Sequence, residues 1–152
     1  MFLELTLSYP ARPITMKVKI SEIWERILSK LNPPPVKLTV IESIPDRFAA
    51  YVPEEKTIFL ARNITLPLTH PRKPQDIIAS ILLHELAHHI QVQEGKFEKG
   101  RGKKHHNKEM FNILIALVEK YFDGKIDDHL WEFETLDFQR WKEKYKKEVK
   151  HG

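Results

Sequence analysis

The sequence predicts an α+β fold built as a single domain. Two kinds of apolar spacing point to it: runs in which apolar and polar residues alternate, typical of half-buried strands, and longer segments with apolar residues every three or four positions, typical of helices. The chain has 152 residues and is 41% hydrophobic, enough for one sizeable core. We expect a strand pair in 1–20, a core in 21–123 and a helical extension in 124–152.

The first part of the chain predicts strands around one helix. Alternating runs at 2–8 and 14–20 flank Tyr-Pro-Ala-Arg-Pro and are typical of a hairpin-linked strand pair. Ser21 can then cap a helix that reaches about Leu31, where Asn32 and three prolines end it. A small sheet should follow, because three further β-rich runs succeed one another, with a turn at 53–56 and an irregular connection over 62–74. These runs are 36–41, 47–52 and 57–61.

The segment 77–93 combines the pattern of a buried helix with His-Glu-x-x-His. At 3.6 residues per turn, His84 and His88 lie about 40° apart on one face, so both imidazoles can reach a single ion. A catalytic zinc site has three protein ligands and a water whose pKa falls to about 7. Glu85 flanks the two ligands, where a general base must be. Pro74 and Asp76 at the start and Gly95 at the end are typical helix boundaries.

A second helix is predicted over 107–122, with Gly124 closing it, after a glycine-bearing and strongly basic loop. The start of this helix is well placed to supply the third metal ligand. His106 opens the helix, whereas His105 would lie on the loop, and Glu109 is a rival because carboxylates also complete catalytic zinc sites. Besides zinc, the candidates for stabilising an oxyanion are Tyr121, Lys103 and Lys104.

The C-terminal part predicts a short helical segment at 127–133 and an amphipathic helix at 135–149. The second has an apolar stripe opposite many lysines, and we expect it to pack back on the domain. The stripe consists of Phe138, Trp141, Tyr145 and Val149.

Composition excludes some classes of site. The chain has no cysteine, so disulfides, iron–sulfur clusters and thiolate zinc sites are excluded and a metal must be held by His and carboxylates. The start does not resemble a signal peptide and no apolar run approaches the roughly 18 residues of a membrane span, so we expect a cytoplasmic protein without a membrane partner. Net charge is +4, which permits nucleic-acid binding without indicating it. Abundant Lys and Glu with ten prolines favour a thermophile.

These residues together resemble the SprT-like zinc metallopeptidases, whose pattern is a His-Glu-x-x-His helix, a variable loop, and His-Gly-x-x-Phe or a variant opening a second helix. His84, Glu85 and His88 match the first motif fully. The second is matched loosely by the His-Asn-Lys-Glu-Met of 106–110, with Asn for Gly and Met for Phe. The likeness covers about residues 20–123.

The resemblance implies a minimal zincin-like domain, in which a small β-sheet packs on the active-site helix and a second, ligand-bearing helix. It implies Zn²⁺ held by His84, His88 and His106, with Glu85 as the catalytic acid/base of a zinc metalloendopeptidase. It also implies that strand 57–61 is the edge that receives an extended protein or peptide substrate. The neighbouring alternative is a gluzincin-type minimal peptidase, with Glu109 as third ligand.

Two hypotheses from other classes accompany the peptidase. In the first, the basic loop 96–104 and the C-terminal helix contact DNA phosphates, which predicts an affinity that falls steeply with salt. In the second, the chain is a latent or inactive zincin scaffold whose C-terminal helix covers the cleft. Its apolar mass would come from Trp131, Phe133 and Trp141, and deleting 125–152 should then raise activity.

Overall fold

The computed structural model describes residues 11–13, 18–67, 72–95 and 107–124, and the single positions 140, 143, 144 and 147. Helices and short strands alternate in this part of the chain, which confirms the predicted α+β class. The elements are β1 (Ala11–Pro13), α1 (Ile20–Leu31), β2 (Lys37–Ile41), β3 (Ala49–Val52), a 3-10 turn (Pro53–Glu55), β4 (Thr57–Ala61), β5 (Thr65–Pro67), α2 (Pro74–Gln93) and α3 (Lys108–Tyr121).

Helix α2 lies at the centre of the core, as its apolar sequence predicts. It contacts α1 and α3 as well as strands β3 and β4, and a helix with apolar residues around its circumference is stable only when enclosed in this way. Its buried residues are Ile77, Ile78, Ala79, Ser80, Ile81, Leu82, Leu83, Leu86, Ala87, His88, His89 and Gln91. The residues that carry the His-Glu-x-x-His motif are therefore built into the best-packed helix of the described structure.

The main sheet has the strand order β2-β4-β3. Strand β4 is parallel to β2 and antiparallel to β3, so that Ile58 is paired with Leu38 on one side and Tyr51 on the other. The expectation that 57–61 is an edge strand is wrong, because both of its sides are already hydrogen-bonded. Its near-continuous apolar sequence, Thr-Ile-Phe-Leu-Ala, is instead typical of a buried central strand.

The strand described near the N-terminus lies in the predicted link and not in either predicted strand. Strand β1 pairs antiparallel with β5, with Arg12 opposite Leu66, so both the link at 11–13 and the connection at 62–74 contain a strand that periodicity did not reveal. The run at 2–8 and residues 14–17 lie outside the described residues. The end of the second predicted strand is wrong, because 18–19 are not in a strand and Ile20 already begins α1. Pairing partners more than fifty residues apart leave no local signal in such short strands.

The ends of α1 show one wrong and one correct expectation. Ser21 lies inside the first turn rather than at the cap, and Lys19 is the N-cap residue, without a side-chain cap hydrogen bond. Asn32 ends the helix as predicted: it adopts the left-handed conformation with φ 44°, and its N–H donates to the carbonyl of Leu28. Asparagine tolerates this conformation better than most residues, which explains why the helix stops there.

Helices α2 and α3 begin and end close to the predicted positions. Helix α2 starts at Pro74, has Asp76 in its first turn and is followed by Gly95 with φ +71°. Helix α3 is capped by Asn107, whose side chain accepts a hydrogen bond from the backbone N–H of Met110. Asparagine is among the best N-cap residues because its short side-chain oxygen reaches these otherwise unpaired donors.

A lysine of α1 closes the other end of α3. The ammonium of Lys30 donates to the backbone carbonyl of Tyr121 at 2.9 Å and lies 5.4 Å from the centroid of that ring. It is also 3.8 Å from the carboxylate of Asp123. A cation at the last turn satisfies a carbonyl that the helix itself cannot pair. Helix α3 is therefore held at both ends, by Asn107 and by Lys30.

The predicted C-terminal helix is described at only four positions. Arg140, Glu143, Lys144 and Lys147 are all helical and exposed, as the charged face of the 135–149 helix should be. Its apolar stripe, the segment 127–133 and the three aromatic residues proposed to cover a cleft lie outside the described residues. No helix in the described ranges has both the length and the apolar character needed to cross a bilayer.

Candidate metal centre

Helix α2 brings His84 and His88 together on one face. The centroids of the two imidazole rings are 5.0 Å apart and the ring planes are inclined by 55°. Two imidazoles bound to one tetrahedral zinc at roughly 2.0–2.1 Å would have centroids about 5 Å apart, because each centroid then lies about 3 Å from the ion. The spacing of the rings therefore fits two neighbouring ligands of a single zinc ion.

Glu85 lies beside the first of these rings. Its Oε2 is 3.9 Å from Nε2 of His84, and the side chains of Glu85 and His84 are 13% and 16% exposed, respectively. His88 is buried more deeply, with 5% of its surface exposed. The His84 and Glu85 side of the pair is therefore the more exposed side, and the Glu85 carboxylate there could exchange a proton with a nearby water.

The buried ring of His88 is connected to the start of α3 through a glutamine. Nδ1 of His88 lies 2.8 Å from Oε1 of Gln91, and Nε2 of Gln91 donates to Oδ1 of Asn107 at 3.3 Å. Asn107 is the residue that caps α3. Sequence reasoning missed Gln91, although its position three residues after His88 places it within reach on the same helix.

His89, which sequence reasoning also missed, has a structural partner on each nitrogen. Its Nδ1 lies 2.6 Å from the hydroxyl of Tyr51 and its Nε2 lies 3.3 Å from the carbonyl oxygen of Pro34. A carbonyl can only accept, so Nε2 donates to Pro34, and in the neutral ring Nδ1 then accepts from Tyr51. His89 thereby ties α2 to strand β3 and to the proline segment after α1.

Burial disfavours the charged form of both partners in this contact. Burial lowers the pKa of His89, helped by the positive charge of Lys56 and opposed by the backbone hydrogen bond to Pro34. Burial also raises the pKa of the Tyr51 phenol, and the negative charge of Glu54 adds to that effect. A neutral imidazole accepting from a neutral phenol is the state that these shifts favour.

Replacing His89 with leucine should destabilise the fold by about 2–3 kcal/mol, because it leaves the Tyr51 hydroxyl and the Pro34 carbonyl without their partner. Urea denaturation followed by circular dichroism measures this loss. The matched control is Gln93→Leu, an exposed position on the same helix, which should change the free energy of unfolding by less than about 0.5 kcal/mol. Equal stability of the two variants would contradict a structural role for His89.

Ser80, one turn before His84, is a buried polar residue whose hydroxyl is unsatisfied. It is 1% exposed, and its Oγ has no hydrogen-bond partner among the residues that the structure describes. Ser80→Ala should therefore leave the protein as stable as the wild type or more stable by up to about 1 kcal/mol. The exposed helical Ser29 gives the control Ser29→Ala, which reports the helix preference alone. A loss of more than 1 kcal/mol on Ser80→Ala would show that the hydroxyl is paired.

Of the three candidates for the third ligand, Glu109 lies within the described residues and the two histidines do not. His105, His106 and the basic loop 96–104 lie outside the described residues. Glu109 is described, and it is exposed in the first turn of α3. Within the described ranges no three His, Asp or Glu side chains are grouped to hold a metal ion, so Glu109 does not join the two imidazoles there.

Tyr121 is not placed to stabilise an oxyanion at this site. It ends α3, whose start is hydrogen-bonded to Gln91, and 14 residues at about 1.5 Å each separate the two ends by roughly 20 Å. The Tyr121 ring packs instead against Phe122, with centroids 4.8 Å apart, and against Lys30. The other two candidates, Lys103 and Lys104, belong to the loop outside the described residues.

Comparison with known proteins identifies no relative of the chain. No protein-family model, no curated protein and no solved structure matches it. The resemblance to SprT-like metallopeptidases therefore depends on His84, Glu85, His88 and the 106–110 segment themselves, together with the geometry of α2.

Proposed function

We propose that this chain is a zinc-dependent metallopeptidase of SprT-like type that hydrolyses peptide bonds. The observation that carries the proposal is the arrangement on α2: two imidazoles whose centroids are 5.0 Å apart, with a carboxylate oxygen 3.9 Å from a ring nitrogen. Two nitrogen ligands on one helix face with an adjacent carboxylate are the components of metal-assisted peptide hydrolysis.

In this mechanism each side chain has a separate task. A bound zinc ion would supply Lewis acidity, which polarises the scissile carbonyl and lowers the pKa of water. Glu85 takes the proton from the attacking water and passes it to the leaving amine. His88, being buried, fixes the inner side of the site, whereas the partly exposed His84 and Glu85 face the direction from which the substrate approaches.

We propose His106 as the third ligand. It lies outside the described residues, and the support comes from its chain neighbour Asn107, whose side chain is linked through Gln91 to His88. His106 directly precedes Asn107 in the chain, so we propose that the start of α3 is the segment that supplies the ligand. Glu109 has less support because its side chain is exposed.

An extended peptide is the proposed substrate, and it would bind at a strand other than the 57–61 strand expected from the sequence. Since β4 is central, strand addition in the described sheet would use β2 or β3, and β3 also contacts α2. The carbonyl of Phe48 accepts from the N–H of Ala61 at 2.8 Å. By the alternation of antiparallel pairing, Ala49 and Tyr51 then direct their backbone groups away from β4. These groups are suited to main-chain recognition of a peptide.

The experiment that tests the proposal measures metal and hydrolysis in the same preparation. The purified full chain should contain one equivalent of zinc and cleave an unfolded protein substrate. Treatment with a strong zinc chelator should stop cleavage, and added zinc should restore it. Protein that takes up no zinc, or cleavage that persists after the metal is removed, would refute the proposed function.

A further inference from the structure

The hydrogen bonds that begin α3 also determine which nitrogen of His88 carries a proton. We propose that Gln91 is a positioning residue that holds His88 in the Nδ1–H form, so that Nε2 keeps its lone pair for a metal ion. The metal part of this inference rests on the proposed function. The assignment of the proton rests on the described hydrogen bonds alone.

The hydrogen-bonded series that ends at His88 begins with a group that can only donate. The backbone N–H of Met110 lies 2.9 Å from the side chain of Asn107, as the cap of α3. A backbone N–H has no acceptor capacity, so the Asn107 atom that faces it must be the oxygen Oδ1. The orientation of the Asn107 amide is thereby fixed by the helix cap.

The next two contacts follow from that orientation. The atom of Gln91 that lies 3.3 Å from Oδ1 of Asn107 must be a donor, so it is Nε2 and the other end of the amide is Oε1. Oε1 faces Nδ1 of His88 at 2.8 Å. An amide oxygen can only accept, so Nδ1 carries the hydrogen.

The burial of Gln91 maintains this assignment of donors and acceptors. Reversing the Asn107 amide would set a donor against the N–H of Met110, and reversing the Gln91 amide would set its oxygen against Oδ1 of Asn107. Gln91 is fully buried and His88 is nearly so, and a mismatch in such a place is costly. In metal sites the imidazole that ligates through one nitrogen usually donates from the other to an oxygen, and loss of that partner costs about 10–100-fold in metal affinity. Gln91 provides such an oxygen for His88.

Two substitutions separate this role from simple packing. Gln91→Leu removes the acceptor, so the zinc dissociation constant, measured by competition with a chromophoric chelator, should rise about 10–100-fold. Gln91→Glu keeps an oxygen opposite Nδ1 while losing the donor to Asn107. Its zinc affinity should stay within a few-fold of the wild type, and the start of α3 should be weakened. Gln93→Leu, at an exposed position two residues later, is the control and should bind zinc as the wild type does.

A second measurement needs neither metal nor activity. The imidazole nitrogen chemical shifts of His88 in the metal-free protein report the position of the proton, and they should show the Nδ1–H form in the wild type and in Gln91→Glu. In Gln91→Leu the Nε2–H form should appear. Wild-type protein in the Nε2–H form, or a Gln91→Leu variant with the wild-type proton position, would overturn the inference. Failure to bind zinc by a wild type with the Nδ1–H form would instead refute the proposed function and leave the proton assignment standing.

Discussion

Replacing Glu85 with glutamine should abolish peptide cleavage while leaving zinc binding unchanged. Glutamine keeps the size of the side chain but cannot accept the proton of the attacking water, and the loss of a general base typically costs about 10²–10⁴-fold in rate. Because Glu85 is placed beside His84 rather than in the ligand set, the zinc content should remain at the wild-type level. Steady-state cleavage of a fluorogenic peptide and metal analysis of the same sample measure the two quantities.

The control for Glu85→Gln is Glu22→Gln, the same change at an exposed position in the first turn of α1. It should leave both zinc content and turnover unchanged. If Glu85→Gln retained turnover, the general-base role would be lost from the mechanism. If it lost zinc together with turnover, Glu85 would belong among the ligands instead.

His106→Ala should cause the largest loss of zinc among the three candidates for the third ligand. A three-ligand site reduced to two imidazoles binds zinc far more weakly, so the purified variant should lose its stoichiometric metal. His105→Ala and Glu109→Ala should keep it. Metal analysis after dialysis against a weak chelator measures zinc retention, and circular dichroism verifies that each variant is folded.

The same set of variants tests the neighbouring alternative. If Glu109→Ala alone lost zinc, a gluzincin-type site would replace the SprT-like assignment. If all three variants kept zinc, the third ligand would have to come from another part of the chain, and His106 would be excluded.

Helices α2 and α3 could be predicted almost to the residue because their signals are local. Apolar spacing gives the period, and Pro74, Asn107 and Gly95 give the boundaries through interactions within one helical turn. The pairing of His84 with His88 is local for the same reason, since residues four apart share a face. The sequence signals that define a helix therefore lie within a few positions of one another.

Gln91 lies only three residues from His88, but several other features that sequence reasoning missed join distant segments. The pairing of β1 with β5 depends on which strand meets which, and no spacing along the chain records that choice. The central place of β4 did leave a local signal, its near-continuous apolar sequence. The role of His89 depends on Tyr51 and Pro34, which are 38 and 55 positions away. Among the neighbouring histidines of α2, only the three-dimensional contacts show that His88 faces Gln91 and that His89 faces β3.

The enclosure of α2 by α1, α3 and the sheet has a consequence for the metal-free state. In small zinc modules the ion supplies the folding energy, and removing it unfolds the chain. Here the ligand helix is buried by apolar contacts that need no ion, so the amides around His88 should exchange with solvent deuterium as slowly as the rest of the core. On the proposed function, the two imidazoles would already be held in place before an ion binds, and little ordering entropy would be lost on that side of the site.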